Sequence, residues 1–331
     1  MKKIYLILSV SIVLVTSCET DVDVNAEWEE TMVIFGLLDI SQDLQFIKIN
    51  KAFLGEADAY DMASVSDSFN YNPEDIIVKL HKLGSIGDTI TTGGWPKTLK
   101  DTIIIEKDEG LFASDNNIIY YLETPAELGT DIIYALTVRN MKTGNFVSSN
   151  TSLIDEFSFK DEDDLDNYEL NFYQLDQAGE NVSKKAFDWN PNNTPNAVFY
   201  QFALRFNYKE NTDTLDLLWQ QVDLDASEDL LKLWGRDFFS FLENNLIKDN
   251  SVREFIDIDI EMTLGTQDLK TYISVNEPIT GIVQQRPLFT NIHNGIGLFS
   301  SRSSKVITGL GLKPTTLEYL KSPDGLDRNF Q

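Results

Sequence analysis

The chain of 331 residues contains one cysteine, Cys18, and its thiol is the first candidate for covalent chemistry. Cys18 follows the small residues Thr16 and Ser17, an apolar run over Ile4–Val15 and a positively charged start. Crossing ~30 Å of hydrocarbon takes roughly 20 apolar residues, so this run is too short to span a membrane. A charged start, a short apolar run and small residues at its end are typical of a signal peptide. The sequence therefore predicts a signal peptide over residues 1–17.

The residues Val15-Thr16-Ser17-Cys18 look like a bacterial lipobox, in which the cysteine thiol takes a diacylglycerol before cleavage. We expect Cys18 to be the lipid-bearing first residue of a mature lipoprotein. Each buried methylene of a lipid contributes about 0.8 kcal/mol, so several acyl chains on one residue give durable anchoring. A plain secreted protein with a chance cysteine at the cleavage site is the alternative.

Residues 18–26 are polar and acidic, and they predict a lipidated flexible tether. Acidic residues directly behind the lipidated cysteine resemble the signal that sends Bacteroidota lipoproteins to the cell surface. A plain acidic tether stays open as the alternative. The expected location is the outer membrane, held by lipid, with the body facing either the periplasm or the cell exterior.

Little else in the sequence has the pattern of a catalytic, metal or cofactor site. His81 and His293 are the only histidines, and zinc would need both of them together with carboxylates. The acidic run over 160–167 lacks the central glycine and closing glutamate of a calcium loop, and Gly295-Ile296-Gly297 lacks the third glycine of a dinucleotide loop. With 53 acidic residues, chance carboxylate pairs carry no information. We therefore expect no enzyme, no metal and no cofactor.

The net charge of −26 argues against nucleic acid as a partner, because phosphates would be repelled. Aromatic residues are the better candidates for ligand contact. Trp95 follows two glycines in a loop, and Phe69 and Tyr71 end a strand-poor loop over Leu54–Pro73. Trp95 is the tryptophan most expected to be exposed. Even for Trp95, however, a hairpin-tip ring folded back on the sheet is expected over an exposed one.

These residues must be positioned by a mainly β fold. Short runs of β-branched and aromatic residues, separated by turn residues, predict an immunoglobulin-like β-sandwich over 27–154. The predicted strands of this front domain are Thr31–Leu38, Gln45–Phe53, Asp75–Leu83, Asp101–Lys107, Asn117–Glu123, Ile132–Arg139 and Asn145–Leu153.

A second β-rich domain is predicted over 155–321, with a loose tail over 322–331. Its strand Ala197–Tyr208 alternates so that Tyr200, Phe202, Leu204 and Phe206 share one face. Apolar residues at helical spacing behind an N-cap serine predict one long amphipathic helix over Ser227–Lys248. In the strand Val252–Met262 we expect the acidic face to meet water.

The chain resembles the Bacteroidota lipoproteins grouped as domain of unknown function 4249. The resemblance is carried by the acidic start after Cys18, by Val33–Leu38, by the hairpin pieces Tyr134–Val138 and Thr143-Gly144, and above all by Thr290–Ser300. It implies an envelope lipoprotein that works alongside outer-membrane nutrient transporters, and it supplies no catalytic residues.

Two function classes follow from these features. The first is a non-enzymatic binding or accessory lipoprotein of an envelope nutrient-uptake system, with a TonB-dependent transporter as the expected partner. The second is a surface structural or adhesion lipoprotein whose sandwich acts as a spacer.

Overall fold

A computed structural model describes residues 31–52, 59–84, 87–104, 110, 112–113, 116–123, 128–157, 169–173, 184–188, 194–222, 230–277 and 287–331. The predicted signal peptide, Cys18 and the tether lie outside these residues, as does the acidic run over 160–167. Among the described residues, no helix has the length and apolar character needed to cross a membrane.

The protein is mainly β, as predicted. Its strands are β1 (Met32–Leu38), β2 (Leu44–Lys51), β3 (Ile76–Leu83), β4 (Thr89–Ile90), β5 (Lys97–Thr98), β6 (Lys100–Ile103), β7 (Ile118–Glu123), β8 (Ile133–Asn140), β9 (Phe146–Ser152), β10 (Glu169–Leu170), β11 (Lys184–Asp188), β12 (Phe199–Glu210), β13 (Asp213–Val222), β14 (Leu230–Trp234), β15 (Arg253–Gly265) and β16 (Gly295–Leu312). The helices are α1 (Ala59–Ala63), α2 (Ser66–Phe69), α3 (Gly235–Asn245), α4 (Gln267–Asn276) and α5 (Pro314–Lys321).

The front of the chain forms two sheets around one core. One sheet contains β1, β2, β7 and β6, and the other contains β3, β8 and β9 with the short strands β4 and β5. Strand side chains alternate between faces, and every second residue of β1, including Met32 and Ile34, is buried. These residues pack with Val78 of β3 and Leu136 of β8 in the front core. Each of the seven strands predicted for this region overlaps a strand of the structure, although Phe53 and residues 105–107, at the ends of two predicted strands, lie outside the described residues.

The rear of the chain packs a sheet against helices and the C-terminal segment. In this part of the large sheet the strands lie in the order β13-β12-β15-β16. Tyr200, Phe202, Leu204 and Phe206 of β12 are all buried in the rear core, which confirms the predicted face. The acidic face of β15 is half-buried at Asp257 and exposed at Glu261, so it meets water as expected.

Strand β16 connects the two halves. Residues 295–301 pair in parallel with β1, and residues 302–310 pair antiparallel with β15. One sheet therefore runs across the predicted boundary between residues 154 and 155. The chain does pass from the front core to the rear core close to this boundary, because Leu153 belongs to the front core and Ile154 to the rear core. The front core is completed by Phe299, from the far end of the chain.

The predicted long helix over Ser227–Lys248 is wrong. Leu230–Trp234 is strand β14, which pairs with β11, and helix α3 covers only Gly235–Asn245. The apolar spacing that favours a helix is overridden because β11 supplies backbone hydrogen-bond partners from a distant part of the chain. Glycine is a poor interior helix residue, and Gly235 stands at the first helical position.

The C-terminal segment 322–331 is docked, not loose. Leu326 and Phe330 are buried in the rear core. Arg328 Nε donates to the carbonyl oxygen of Leu246 at 2.9 Å, and Arg253 N donates to that of Asn329 at 3.0 Å. The segment's glycine, proline and charged residues are typical of a loose end, but its two apolar side chains find a buried site.

Candidate ligand-binding site on the outer face of the front sheet

Trp95 is buried, with 7% of its surface exposed. Positive φ angles at Gly93 and Gly94 turn the chain before it, and its ring lies edge-on to Tyr134 with centroids 5.8 Å apart. Lys82 Nζ lies over the ring, 4.5 Å from its centroid. The ring is therefore folded back on the sheet, as expected for a hairpin-tip aromatic, and the other possibility, an exposed contact residue at Trp95, is not what the structure has.

Tyr71 is also buried in the front core. Phe69, the third predicted contact residue, forms part of the wall of a cavity. The structure thus places Trp95 and Tyr71 inside the core and Phe69 at a separate site on the outer face of the sheet.

That cavity has a volume of about 500 Å³ and lies on the face of β1 and β2 opposite the core. Because inward residues alternate with outward ones, the floor is made of Val33 and Phe35 from β1 and Lys48 and Asn50 from β2. Ligand pockets commonly measure roughly 300–1,000 Å³. The cavity is therefore large enough for a small organic molecule.

The walls are aromatic. Phe69 ends helix α2, and Phe112 lies across from it with ring centroids 5.3 Å apart in an edge-to-face arrangement. Phe69 is buried, whereas Phe112 is 45% exposed and stands at the rim. Phe35 is 40% exposed on the floor, and its ring contacts Tyr272 of α4 edge-on at 5.9 Å. Three phenylalanine rings thus face the same space.

An amide network holds the walls to the floor. Asn50 Nδ2 donates to the carbonyl oxygen of Phe69 at 3.1 Å and to Asn70 Oδ1 at 3.0 Å. Asn70 Nδ2 in turn donates to the carbonyl oxygen of Asn116 at 2.9 Å. The backbone N–H of Ala113 donates to the carbonyl oxygen of Ala63 in α1 at 2.9 Å. The cavity is therefore preformed by bonds across three segments that are distant in sequence.

Two lysines line the same cavity. Lys48 Nζ donates to Asn117 Oδ1 at 2.9 Å and to the carbonyl oxygen of Ile118 at 2.7 Å, which fixes the ammonium at the base. Lys51 stands where β2 ends, beside Ala52. Among the described residues that line the cavity there is no carboxylate, although the whole chain has 53 acidic residues against 27 basic ones. The described lining is therefore apolar, amide and cationic.

Sequence reasoning missed most of this site. A signal was present in β1, where Val33-Ile34-Phe35 is apolar on both faces of a strand, a pattern typical of a strand covered on both sides. Phe112 and Asn117 carry no comparable signal, because their place beside β2 depends on long-range strand pairing with β7.

The histidines lie apart from the cavity lining. His81 Nε2 is 2.9 Å from Thr137 Oγ1, and its pKa is lowered by burial and then by the nearby Lys79. His81 is half-buried. His293 is exposed and pairs with Ser148 through backbone hydrogen bonds. The described part of the chain holds no group of three or more His, Cys, Asp or Glu side chains arranged for a metal ion.

Hydrogen bonds attach the segment Thr290–Ser300 to its neighbouring elements. Asn291 Nδ2 donates to Asp268 Oδ2 at 2.8 Å and to the carbonyl oxygen of Phe299 at 2.7 Å, and its Oδ1 accepts from Phe299 N at 2.9 Å. Ser149 Oγ donates to the carbonyl oxygen of Asn291 at 2.7 Å. These bonds attach the start of β16 to β9 and to helix α4.

No known protein-family model matches the chain, and no curated protein matches it.

Proposed function

We propose that this chain is a non-enzymatic lipoprotein of the bacterial outer membrane that binds a small ligand in the cavity between β1, β2, Phe69 and Phe112. In this proposal it is an accessory component of a nutrient-uptake system and works beside a TonB-dependent transporter. The lipid on Cys18 holds the body at the membrane, and the cavity faces the periplasm or the cell exterior.

The observation that supports ligand binding is the combination of three phenylalanine rings with fixed polar groups in one preformed space. Phe35 and Phe112 remain 40% and 45% exposed at its floor and rim. Apolar walls with a few convergent polar groups are typical of small-molecule sites. A spacer would need no such cavity, so the binding function is favoured over the structural one.

The proposed lipid anchor on Cys18 is tested with the variant Cys18→Ser in cells that produce the full chain. We expect the variant to appear in the soluble fraction or to remain unprocessed, whereas the unmodified chain is found with the outer membrane. A Ser17→Ala variant keeps a small residue before the cysteine and serves as the matched control, which we expect to remain membrane-bound. Normal processing and membrane retention of Cys18→Ser would overturn the anchor.

The proposed role beside an outer-membrane transporter is tested by photo-crosslinking in intact cells. A crosslinking amino acid placed at Phe112, on the cavity rim, should capture an outer-membrane transporter. The control position is Leu218 on β13, which is similarly exposed at 44% but lies in the rear sheet. Equal capture from the two positions, or no transporter from either, would contradict the transporter role and leave the spacer function as the better account.

A further inference from the structure

We infer that the outer edge of strand β13 binds an extended cationic segment of a partner protein, which joins the large sheet as a further strand. Strand β13 is the end strand of that sheet, and among the described residues no strand pairs with its outer edge. Strands β12, β15 and β16 lie between β13 and β1 in the sheet, so this site is separate from the cavity of the proposed function. A partner at β13 is therefore independent of the transporter proposed at the cavity rim.

The backbone of β13 has hydrogen-bonding groups to offer along this edge. The strand pairs antiparallel with β12, from Glu210 and Asp213 beside the turn to Gln201 and Val222 at the other end. A two-residue turn closes with a hydrogen-bonded pair, and bonded pairs then alternate with non-bonded ones along the hairpin. The even-numbered residues of β13, such as Leu218, therefore direct their N–H and C=O groups to the outer edge. Such an edge is a template for another extended chain.

The usual protection of an edge strand is weak in β13. Lysine, proline and bulges commonly keep other chains away from sheet edges, but β13 contains no lysine, proline or glycine, and its register with β12 has no bulge. Leu218 and Val222 are 44% and 45% exposed on one face, and Leu215 is 40% exposed on the other, where Leu217 and Trp219 pack against the rear core. An added strand would therefore cover apolar side chains on both faces as well as the backbone.

The charge of the edge selects the chemistry of the occupant. Strand β13 contains Asp213 and Asp216 and no basic residue. Residues 223–229, which follow it in the sequence, contain four acidic residues and no basic one. Opposite charges on neighbouring strands stabilise a sheet. Lysine or arginine side chains of an added strand would lie beside these carboxylates, so a cationic segment is favoured.

A second copy of this chain is a poorer occupant. Antiparallel pairing of two β13 strands about Leu218 would match Leu217 with Trp219, but it would also set Asp213 opposite Asp223 at both ends. Like charges directly opposite each other on paired strands are destabilising. Two chains that each carry a net charge of −26 also repel each other before contact.

The test uses the acetylated and amidated peptide Lys-Val-Lys-Val-Lys-Val-Lys-Val-Lys and the full chain, purified in a non-ionic detergent. Isothermal titration calorimetry measures the binding. In one control peptide glutamate replaces every lysine, which reverses the charge. In the other, proline replaces every valine, which keeps the charge but removes those backbone N–H groups. We expect both controls to bind at least about tenfold more weakly, because several ion pairs or several backbone hydrogen bonds are lost.

Hydrogen exchange followed by mass spectrometry locates the site. The lysine–valine peptide should slow exchange in β13, because its outward N–H groups gain acceptors. Exchange should not change in β6, the strand at the other end of the same sheet, which is the reference edge. Equal slowing at both edges would show unspecific strand addition and would overturn the inference.

Two pairs of variants separate backbone from charge. Leu218→Pro removes one outward N–H and leaves the pairing with β12 in place, so it should weaken binding by at least about fivefold. Its control, Leu218→Ala, keeps the N–H and should weaken binding less. Asp216→Asn should weaken binding by up to about fivefold, whereas Glu254→Gln, which removes an exposed carboxylate of β15, should have a smaller effect. Thermal unfolding checks that each variant is folded.

Three results would overturn the inference. Equal binding of the lysine–proline peptide would show electrostatic adhesion without strand addition. Equal binding of the glutamate peptide would remove the cationic class. Slower exchange in β13 on concentrating the chain alone, with no peptide present, would show that a second copy occupies the edge. None of these results bears on a small ligand in the cavity, so the proposed function stands or falls separately.

Discussion

Two tyrosines of the front core differ in what their hydroxyl groups contact. The hydroxyl of Tyr134 accepts a hydrogen bond from the backbone N–H of Gly129 at 2.9 Å. The hydroxyl of Tyr120 is buried and has no hydrogen-bond partner among the residues that the structure describes. A buried polar group without a partner carries a desolvation cost that an apolar group of the same shape avoids.

Tyr120→Phe should therefore leave stability unchanged or raise it by about 1 kcal/mol, because only the unpartnered hydroxyl is removed. Tyr134→Phe removes a made hydrogen bond and should lower stability by about 1 kcal/mol. The measurement is urea-induced unfolding followed by tryptophan fluorescence. If Tyr120→Phe lowered the free energy of unfolding as much as Tyr134→Phe does, the Tyr120 hydroxyl would have to have a hydrogen-bond partner.

The same tyrosines make stability depend on alkaline pH. Burial raises the pKa of Tyr120 well above its ordinary value of 10.0, and the nearby Asp101 raises it further. Burial also raises the pKa of Tyr134, against the lowering effect of its bond from Gly129. Above pH 10 the unfolded chain loses phenolic protons that the folded chain keeps, so the free energy of unfolding falls as pH rises. In Tyr120→Phe, the free energy of unfolding should fall less steeply with pH, by up to about 1.4 kcal/mol per pH unit. The measurement is chemical unfolding at a series of pH values above 10. The same slope in the variant and in the unmodified chain would contradict this prediction.

Arg253 is buried and depends on its acidic neighbours. Its Nε donates to Glu210 Oε2 at 2.7 Å, its Nη2 to Asp249 Oδ1 at 3.2 Å and its Nη1 to the carbonyl oxygen of Arg328 at 2.8 Å. Only 1% of the Arg253 side chain is exposed. The guanidinium therefore relies on Glu210 to offset the loss of hydration, and through Arg328 it helps to hold the C-terminal segment.

Glu210→Gln should lower the free energy of unfolding by about 2 kcal/mol, because it leaves a buried cation with weaker compensation. The control is Glu254→Gln, whose pair with Lys209 is 3.4 Å long and exposed on both sides. Exposed pairs contribute at most about 1 kcal/mol, so this variant should change little. Chemical unfolding of both variants measures the difference, and equal losses would contradict the role of burial.

At the scale of elements, the parallel pairing of β1 with β16 depends on Gly297. Its φ of +117° lies in the region that favours glycine, and an added Cβ would lie 1.9 Å from the carbonyl oxygen of Ile34. That oxygen belongs to the backbone of the paired strand, so it is unable to move without breaking the register. Close approach of the two strands thus requires glycine here.

Gly297→Ala should destabilise the protein by at least about 3 kcal/mol, through backbone strain and loss of the β1–β16 pairing. Gly311→Ala is the control in the same strand, since its added Cβ would meet only Glu169 Cγ at an ordinary 3.5 Å. Thermal unfolding of both variants is the measurement. A small effect of Gly297→Ala would mean that β1 and β16 are less tightly paired than the structure describes.

The elements also show which parts of the fold can be predicted from the sequence. The faces of β12 and β15 follow from alternation within one strand, so they are predictable. Helix α3 is different, because its first predicted turns are replaced by β14, which pairs with β11 more than forty residues earlier. Local periodicity contains no information about that partner. The same holds for the cavity walls, because Phe69 and Phe112 are far apart in the sequence and meet only in the folded chain.

At the scale of the whole molecule, the front core is incomplete without the distant strand β16. Met32 of β1 pairs with Gly295, and Ile292 and Phe299 fill the front core between the sheets. His293 also forms a bridge to Ser148 of β9. The predicted division of the chain between residues 154 and 155 therefore separates the front sheets from the strand that completes them.

A fragment of residues 27–154 should accordingly fail to unfold cooperatively, because β1 lacks its parallel partner and the core lacks Ile292 and Phe299. The same fragment joined through a flexible glycine-serine linker to residues 287–303 should regain a cooperative transition, since the linker can return the strand to β1. Urea unfolding followed by far-UV circular dichroism measures the transition of both. The matched control carries Gly297→Ala in the joined strand and should behave like the fragment alone. If residues 27–154 unfold cooperatively by themselves, with the midpoint of the full chain, then β16 lies against a front sandwich that is already complete, and the coupling between the two halves is weaker than their shared sheet implies.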